Sequence, residues 1–536
     1  MPGKVTKRLT FGRGINAAVR LRQVAPAECA RGENFDLDLD FSGFRGRRGF
    51  DLAATAPNGQ EIRGFAQLVK RDGTISTLVQ AGTVVYSWDG STTFSVVGAV
   101  AAGAKLRGQK SHIWNLDTEV VIITDLALLE PVKTWDGTSL TNLGTNLTGA
   151  FYAKYCLVEN ERAFFANIKI GSDEYPHLMM ASALQDYTDL SVSVRSLLTT
   201  STDSPFYLPV LDLKPINAFE AALGTIVIGT QRGRVYRLDG SNAFDYQINE
   251  YYPGSAPVGD EAMVSVGNDV VLGKAATIES LFGSDISTDV EADDLSRWIK
   301  PLITEVTSWS LVYNNALRRV YCLPSGGGSL WVLHKSILDS GDRLSPWSKY
   351  TTNHSFSMQP SVMMSILSPE DGLELVYMGA ASGQIFHLEG HEAVDGGTTD
   401  IVAYRTTGIV EPMDGENVLA FDKKGYVDYK RAAASTATLT IIAHGLQAFT
   451  QPVTVNIPES TEYSVYGGSS ANYYNGTGAV AASDSYYGDP LSDRISRQTF
   501  SAAGIDSFFQ VKAAVSGSTE FEIDEIGLHF TIERQA

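Results

Sequence analysis

The sequence predicts an all-β protein: a β-propeller of six or possibly seven blades, followed by a β-sandwich-like domain. Fifty glycines among 536 residues, with few helical apolar runs, indicate short strands joined by many turns. The hydrophobic fraction of 43% is typical of a folded chain, and the length exceeds one ordinary core. A repeat of about fifty residues then favours a propeller, because each repeat is one supersecondary unit that cannot bury its apolar face alone.

Four segments with similar endings define this repeat. They are TVVYSWDG, EPVKTWDG, GRVYRLDG and GQIFHLEG, which end at Gly90, Gly137, Gly240 and Gly390. The second, third and fourth endings follow the previous one at about one, two and three units of fifty residues. Weaker copies end at Gly283 or lie near residues 189 and 333, which gives six or seven copies between residues 65 and 390.

The repeat signature has an architectural interpretation. An apolar strand, a glycine turn and an alternating strand come before each ending, and glycine there reaches the positive φ of a tight turn. The tryptophans and leucines are therefore predicted to pack, and the acidic residues to shape turns. In the sialidase Asp box the tryptophan follows the glycine, whereas here it precedes it. The signature residues are Trp88, Asp89, Gly90, Trp135, Asp136, Gly137, Leu238, Asp239, Gly240, Leu388, Glu389 and Gly390.

Three regions follow from this pattern. Residues 1–50 are predicted to form a basic arm and a first hairpin, residues 51–400 the propeller, and residues 401–536 the sandwich domain. Period-2 alternation in the last strand predicts one face with Ile526 and Leu528 and another with His529. A Ser/Gly/Tyr-rich stretch at 458–490 is either a surface loop or an adaptable contact surface.

The first hairpin, GENFDLDLDFSGFRGRRGF at 32–50, combines alternating aspartates with arginines. Alternation predicts Phe35, Leu37, Leu39 and Phe41 on one face, and Asp36, Asp38 and Asp40 on the other. A returning strand would bring Arg45 and Arg47 opposite the carboxylates. Three carboxylates spread over about 13 Å of strand do not favour a metal site. The candidate partner-contact residues are Arg45, Arg47 and Arg48.

Charge argues against nucleic-acid binding by phosphate neutralisation. The formal net charge is −19, although residues 1–48 contain ten basic and five acidic residues. The remainder of the chain is therefore strongly acidic, and an acidic body repels the DNA backbone. The basic leading segment is instead either a docking arm for a partner or an ordinary solvated surface.

The sequence carries no motif for catalysis, a cofactor or a metal. HExxH and GxSxG motifs are absent, and the three cysteines have no CxxC spacing. His334 is isolated in sequence, with no triad order around it. We therefore expect a protein that is not an enzyme and needs no cofactor. The N-terminus lacks the apolar region of a secretory signal, so synthesis in a reducing cytoplasm is expected.

Several segments resemble the propeller-type tail proteins of short-tailed bacteriophages. The stretch AECARGENFDLDLDFSGFRGRRGF follows Pro26 and has Glu28 near its start. Asn34 lies in its strand, and Arg48-Gly49-Phe50 forms its end. VGNDVVLGKAATIESLFGSDISTDVEADDLSRWIKP, with Leu295-Ser296, is similar to their mid-propeller region. LSPWSKY around Trp347 and the final IDEIGLHFTIE are similar to two further strands of that family.

The resemblance implies a structural virion protein, located in the tail and made in the host bacterial cytoplasm. It implies a tail nozzle: a ring, usually a homohexamer, that closes and then conducts genomic DNA during ejection without binding it specifically. The implied partners are a tail-tube adaptor above the ring and tail fibres or the host surface below. A plug or connector that stabilises packaged DNA under the portal is the close alternative. A carbohydrate-binding or carbohydrate-degrading propeller is the alternative of another class.

Overall fold

A computed structural model gives the fold in atomic detail for most of the chain. It describes residues 4–10, 12–37, 44–109, 119–190, 202–222, 224–231, 233–252, 254, 256–267, 269–281, 293–303, 306–325, 329–340, 344–351, 360–368, 372–390, 394–395, 399–410, 419–431, 435–443, 450–457, 496–500, 509–517 and 521–533. The predictions for Asp38, Leu39, Asp40, Phe41 and the 458–490 stretch lie outside these residues.

The described residues are mostly β-strand, with one α-helix, α1 (Lys335–Asp339), and 3-10 turns at Leu21–Gln23 and Lys300–Leu302. No helix among them is both long and apolar enough to cross a membrane. Five strands come first: β1 (Lys4–Leu9), β2 (Arg31–Glu33), β3 (Phe35–Asp36), β4 (Phe44–Gly46) and β5 (Asp51–Thr55).

The repeat region forms successive antiparallel meanders, which we number as blades. They are blade 1, β6 (Ile62–Val69), β7 (Ile75–Ala81), β8 (Val84–Trp88) and β9 (Phe94–Ala99); blade 2, β10 (Leu106–Gly108), β11 (Val121–Asp125), β12 (Lys133–Trp135) and β13 (Leu140–Asn142); blade 3, β14 (Phe151–Glu159), β15 (Arg162–Ile170), β16 (Asp173–Ala181) and β17 (Phe206–Pro209); and blade 4, β18 (Ile216–Ala222), β19 (Thr225–Thr230), β20 (Val235–Asp239) and β21 (Gln247–Tyr252).

The remaining strands complete the repeat region and the C-terminal part. They are blade 5, β22 (Met263–Val266), β23 (Asp269–Gly273), β24 (Ile278–Ser280) and β25 (Asp293–Asp294); blade 6, β26 (Trp309–Asn314), β27 (Arg319–Pro324), β28 (Ser329–His334) and β29 (Trp347–Thr351); blade 7, β30 (Pro360–Leu367), β31 (Glu374–Ala380) and β32 (Gln384–His387); and then β33 (Val394–Asp395), β34 (Thr399–Thr406), β35 (Leu419–Arg431), β36 (Ser435–Ala443), β37 (Thr450–Ile457), β38 (Ser496–Phe500), β39 (Phe509–Gly517) and β40 (Phe521–Glu533).

The chain divides into two compact units. Unit 1 comprises residues 1–51, 331–355 and 389–536, and unit 2 comprises residues 52–330 and 356–388. This division differs from the predicted boundaries at 50 and 400, because the chain passes from unit 2 to unit 1 within β28 and again after blade 7. The first fifty residues belong to unit 1 and do not form a separate arm.

Unit 2 contains the β-propeller except for the last part of blade 6, because most of β28 and all of β29 belong to unit 1. The fold-class prediction is confirmed, with seven blades among the described residues. Neighbouring blades contact one another through β6 and β10, β11 and β14, β14 and β18, β18 and β22, β22 and β26, and β26 and β30, and β30 returns to β6. β5 is the outermost strand of the last sheet, in the order β30-β31-β32-β5. A strand from before blade 1 therefore completes blade 7 and closes the ring.

Side chains from the first or second strands also connect neighbouring blades. Each is an amide or a hydroxyl that donates a hydrogen bond to a backbone carbonyl of an adjacent blade, so the ring is joined by more than apolar packing. The pairs are Gln80 to Ala104, Thr124 to Lys154, Asn167 to Ile216, Asn217 to Pro257, Asn314 to Glu374 and Gln67 to Leu367.

The sequence repeat corresponds to one position in each blade. The four strong endings follow the third strand of blades 1, 2, 4 and 7, namely β8, β12, β20 and β32. The weaker copies fall on the third strands β16, β24 and β28 of the other three blades. All seven copies are therefore structural equivalents, and the period of about fifty residues is one four-stranded blade.

Unit 1 contains two six-stranded sheets, which agrees with the predicted sandwich-like domain. One has the order β3-β4-β40-β35-β38 with β1 on β40, and the other β2-β34-β39-β36-β37 with β33 on β34. Both sheets combine strands from the first fifty residues with C-terminal strands. In β40, Ile526 and Leu528 are fully buried and His529 is not, so the predicted alternation is confirmed where the side chains are described.

Candidate functional site

The turns that end the third strands of blades 1 and 2 have the predicted roles. Trp88 and Trp135 are buried, so their packing role is confirmed. Gly90 and Gly137 have φ of 91° and 94°, in the region that favours glycine. The Asp136 carboxylate accepts hydrogen bonds from the backbone amides of Thr138 and Ser139, at 2.8 and 2.7 Å. Asp89 accepts a similar bond from the Ser91 amide at 2.9 Å.

The blade 4 ending has the predicted glycine but a different acidic residue. Leu238 is buried and Gly240 has a φ of 134°. Asp239, however, pairs with the Asn249 amide at 2.8 Å, and Asp245 accepts the turn amide hydrogen bonds instead. The prediction that Asp239 shapes the turn is therefore corrected, because a later carboxylate reaches those amides.

The blade 7 ending differs again. Leu388 is buried as predicted, but the residue with positive φ is Glu389, at 58°. Gly390 does not adopt positive φ; a Cβ there would lie 1.8 Å from Asp51 Oδ2. Glycine at 390 makes room for the Asp51 carboxylate and does not serve a left-handed turn.

Aspartates at the ends of third strands lie on one face of the propeller. Successive strands of a meander alternate in direction, so the turns after the third strands of different blades share a face. We call Asp89, Asp136, Asp186 and Asp245 the carboxylate face; each accepts turn amide hydrogen bonds in blades 1 to 4. Backbone hydrogen bonds lower the pKa of Asp136 and Asp245, so both remain ionised near neutral pH.

The axial cavity lies along the centre of unit 2 and has a volume of about 470 Å³. Its walls come mainly from the first strands of all seven blades, together with the residues just before β22, Thr124 and Leu126 at β11, and Glu374 of β31. Four charged side chains on these walls, those of Arg107, Lys154, Asp260 and Glu261, make ion pairs between non-adjacent blades.

The first pair crosses the cavity from blade 2 to blade 5. Arg107 Nε lies 2.5 Å from Glu261 Oε1, and Arg107 Nη2 lies 3.2 Å from Oε2. The remaining guanidinium nitrogen donates to the backbone carbonyls of Arg63 and Leu106. This two-point contact fixes the guanidinium plane within the cavity.

The second pair connects blade 3 with the residue next to Glu261. Lys154 Nζ lies 3.4 Å from Asp260 Oδ1, and the Tyr155 hydroxyl donates to the same oxygen at 3.1 Å. Burial and the nearby Asp260 raise the pKa of Tyr155 well above its usual value, so it remains a neutral donor. Two cations, Arg107 and Lys154, thus contact the adjacent carboxylates of Glu261 and Asp260, and the Tyr155 phenol contacts Asp260 as well.

Buried hydrogen bonds in unit 1 connect two of the segments that carry the tail-protein resemblance, the N-terminal segment and LSPWSKY with the residue that follows it. Arg47 makes a two-point ion pair with Asp395, with nitrogen–oxygen distances of 2.8 and 2.7 Å. Both side chains are fully buried, and the guanidinium lies 4.0 Å from the centre of the Phe50 ring. The prediction that Arg47 contacts a partner is therefore wrong, because its charge is neutralised inside the fold.

Asn34 is the centre of this network. Its Nδ2 donates to Thr351 Oγ1 at 2.7 Å and to the Val402 carbonyl at 3.1 Å. Its Oδ1 accepts from Arg47 Nε and from the Thr351 amide, both at 2.9 Å. Asn34 also has a φ of 57°, a conformation that asparagine tolerates better than most residues. All four side-chain hydrogen-bonding positions of this amide are used.

Glu28 connects the first segment to LSPWSKY. Its carboxylate accepts from the Ser345 amide at 2.8 Å and from Asn16 Nδ2 at 2.7 Å, and Ser345 Oγ donates to the Ile15 carbonyl at 2.6 Å. Two motifs about three hundred residues apart are therefore neighbours in unit 1. We define the motif network as Glu28, Asn34, Arg47, Ser345, Thr351 and Asp395.

Arg45 and Arg48 have less constrained positions than Arg47. Arg45 lies opposite Asp36 on β3, which confirms the predicted cross-strand placement, and opposite Glu522 on β40. The carbonyl of Arg48 accepts from Arg47 Nη1 at 2.8 Å. Both arginine residues are half-buried, so part of each side chain reaches the surface.

One Ser-His-Asp arrangement was missed by sequence reasoning. His334 Nε2 lies 2.8 Å from Ser348 Oγ, and His334 Nδ1 lies 3.8 Å from Asp36 Oδ1. Ser348 is 0% exposed and His334 1% exposed, so a substrate does not reach the hydroxyl. His334 and Ser348 lie 14 residues apart, but Asp36 lies about three hundred residues from both, and no local spacing signalled the group. We interpret the group as a satisfied buried polar cluster.

The described residues contain no cluster of three potential metal ligands. Cys29, Cys156 and Cys322 are free and buried, and burial raises the pKa of Cys156 and Cys322. These thiols are therefore protonated near neutral pH and are poor nucleophiles.

Comparisons with known proteins find similar folds only among solved structures. No family model matches the chain, and no curated protein does. YCF48 bound to D1 peptide is 12% identical, covers 63% of this chain and 94% of that chain, and has a TM-score of 0.38. The Myceliophteria thermophila Cps50 (Swd1) β-propeller domain is 12% identical over 64% and 99%, with a TM-score of 0.38. BBS1N in complex with ARL6DN is 8% identical over 65% and 97%, with a TM-score of 0.42.

Proposed function

We propose that this chain is a structural, non-enzymatic virion protein, the tail nozzle at the distal end of a short phage tail. In this proposal several copies, with a homohexamer favoured, form a ring that closes and then conducts genomic DNA during ejection. The observation that carries the proposal is the motif network. Two segments chosen for their resemblance to tail proteins, the N-terminal segment and LSPWSKY, are joined by buried hydrogen bonds such as Ser345 to Glu28, as residues with an architectural role would be.

The carboxylate face supports the proposed passage of DNA. Duplex DNA carries about one negative charge per 1.7 Å of axis, so ionised carboxylates repel it and prevent adhesion. Four successive blades each add a turn aspartate to this face, and the whole chain has a net charge of −19. A ring with such faces toward its opening would be an acidic channel through which DNA slides.

The axial cavity is not the proposed path for DNA. The Arg107–Glu261 pair crosses it, and about 470 Å³ is the volume of a small-molecule site. The conduit in this proposal is therefore formed between subunits of the ring. Arg45 and Arg48 are the candidate contacts to the tail-tube adaptor above the ring, and tail fibres or the host surface are the partners below.

The test starts with the purified full chain, measured by light scattering with and without the tail-tube adaptor. A ring of six times the 57.9 kDa chain mass, alone or on the adaptor, supports the proposal. A monomer that ignores the adaptor would count against it. Electron microscopy of virions then distinguishes the nozzle, at the distal end, from the plug, under the portal. Chains that decorate the capsid would exclude both.

Two binding assays address the remaining alternatives. A gel-shift titration with duplex DNA at 50 to about 200 mM salt is expected to show no complex, because the chain lacks the charge for counterion release. Saturable binding of a glycan by the monomer would favour a carbohydrate-binding propeller instead.

A further inference from the structure

We propose that the axial cavity of unit 2 is a binding site for a long, uncharged, mainly aliphatic small molecule. The volume of about 470 Å³ lies within the 300–1,000 Å³ range of small-molecule sites. The inference concerns unit 2 alone and does not depend on the proposed nozzle function. Most of the lining is apolar: Phe65, Leu126, Leu157, Phe219, Met263, Val264, Leu311, Val312, Val362, Met363, Met364, Ile366 and Leu367.

The shape of the cavity favours a chain-like ligand. Six consecutive residues of β30, from Val362 to Leu367, line it, which corresponds to about 17 Å along a strand. Met263, Met363 and Met364 contribute thioether side chains, which adjust to the shape of an apolar guest. An extended aliphatic molecule fills such a tube better than a compact ring system.

The charges of the cavity argue against an ionic ligand. Arg107 is neutralised by Glu261 and Lys154 by Asp260, which leaves Glu374 as the fifth charged side chain of the wall. An anionic ligand would have to break one of these pairs or remain uncompensated in a mainly apolar site, and a cationic ligand would have to compete with the hydrogen-bond donors of Glu374. Glu374 accepts from Ser365 Oγ at 2.8 Å and from the Asn315 amide at 3.3 Å.

Three neutral polar side chains of the wall, Gln67, Gln109 and Thr124, are already in hydrogen bonds. Gln67 binds the backbone of Leu367 through both its amide nitrogen and its oxygen. Gln109 Oε1 accepts from the Ile122 amide, and Thr124 donates to the Lys154 carbonyl. These groups offer little to a polar ligand, so affinity has to come from burial of apolar surface.

The experiment titrates the full chain with the uncharged dye Nile red. We expect saturable binding of one dye per chain, displaced by dodecanol. The anionic dye anilinonaphthalene sulfonate is expected to bind at least about tenfold more weakly, because both cations of the cavity wall are already in ion pairs. Absence of saturable Nile red binding, or equal affinity for the anion, would overturn the proposal.

Paired variants locate the dye. Val264→Trp fills the cavity from a half-buried wall position on β22 and is expected to weaken Nile red at least about tenfold. Val96→Trp makes the same change on β9, where Val96 is 70% exposed, and should leave binding unchanged. Met364→Trp is the second filler if the first variant does not fold. Unchanged binding in a folded filler variant would place the dye elsewhere and refute the site.

Discussion

At the scale of residues, the Arg47–Asp395 pair has a large energetic role because neither side chain contacts solvent. Desolvation makes a buried charge costly when it stands alone, and the two-point contact offsets that cost only while both partners remain. The neighbouring Asn34 accepts a hydrogen bond from the third guanidinium nitrogen, Nε. Loss of Asn34 or Asp395 therefore leaves part of the buried guanidinium without a partner.

We expect Asp395→Asn to lower the free energy of unfolding of unit 1 by about 3–5 kcal/mol, since it leaves Arg47 buried without a counter-charge. Denaturant unfolding followed by circular dichroism measures the loss. Glu250→Gln breaks the Arg234–Glu250 pair, whose side chains are 44% and 35% exposed, and serves as the control. That control should cost less than about 1 kcal/mol. Equal losses in both variants would show that burial does not set the energy.

The Ser348–His334 contact leads to a second residue-scale prediction. A fluorophosphonate probe should not label the native chain, because Ser348 is fully buried. Ser348→Ala should destabilise unit 1 by about 1–3 kcal/mol, since a buried imidazole nitrogen loses its partner. Mass spectrometry of probe-treated chain checks the first result and thermal unfolding the second. Labelling at Ser348 would show that the hydroxyl is accessible and would revive an enzymatic interpretation.

At the scale of elements, the same turn position differs between blades. A Cβ on Gly240 would lie 2.6 Å from Tyr246 Cα, whereas one on Gly137 meets only side-chain atoms at 3.5 Å or more. Both glycines have positive φ, so both share the backbone strain of a substitution. The repeat in the sequence predicted this turn in both blades, but the close approach of Tyr246 appears only in the structure.

We therefore expect Gly137→Ala to cost about 1–2 kcal/mol from backbone strain, and Gly240→Ala to cost a further 1–3 kcal/mol or so from overpacking. Thermal unfolding of the two variants gives the difference directly. Equal costs would mean that the turn of blade 4 relaxes around the added methyl group.

The turn aspartates give a pH-dependent prediction for the same elements. Hydrogen bonds from the Ser139 amide and then the Thr138 amide lower the pKa of Asp136, which is therefore below its unfolded value. The resulting stability is present above the unfolded pKa, near about 3.9, and is lost as pH falls through the folded value. Asp136→Ala should thus be less stable than the native chain at pH 7, and the difference should shrink below about pH 4. A difference that does not change with pH would contradict this account.

At the scale of the whole molecule, closure of the ring depends on β5. Ala54 on this strand is 4% exposed and packs in a cluster with Tyr377 and Ile385 of blade 7. We expect Ala54→Asp to open blade 7, because a buried carboxylate has no partner in an apolar cluster. Hydrogen exchange should rise in β30–β32. Thr55→Asp, at the exposed neighbouring position, should leave exchange unchanged. A rise in both variants would indicate a general effect of charge.

The sequence by itself determined the local structure of this protein. Alternation and turn glycines predicted strands such as β40, and the repeat predicted blades whose third strands end at or next to Trp88, Trp135, Leu238 and Leu388, because these signals depend on neighbours along the chain. Only the tertiary structure decided which distant residues meet. Arg107 and Glu261 lie 154 residues apart, and Arg47 and Asp395 lie 348 apart. Charge partners at such separations are selected by packing and desolvation, which leave no local spacing to read.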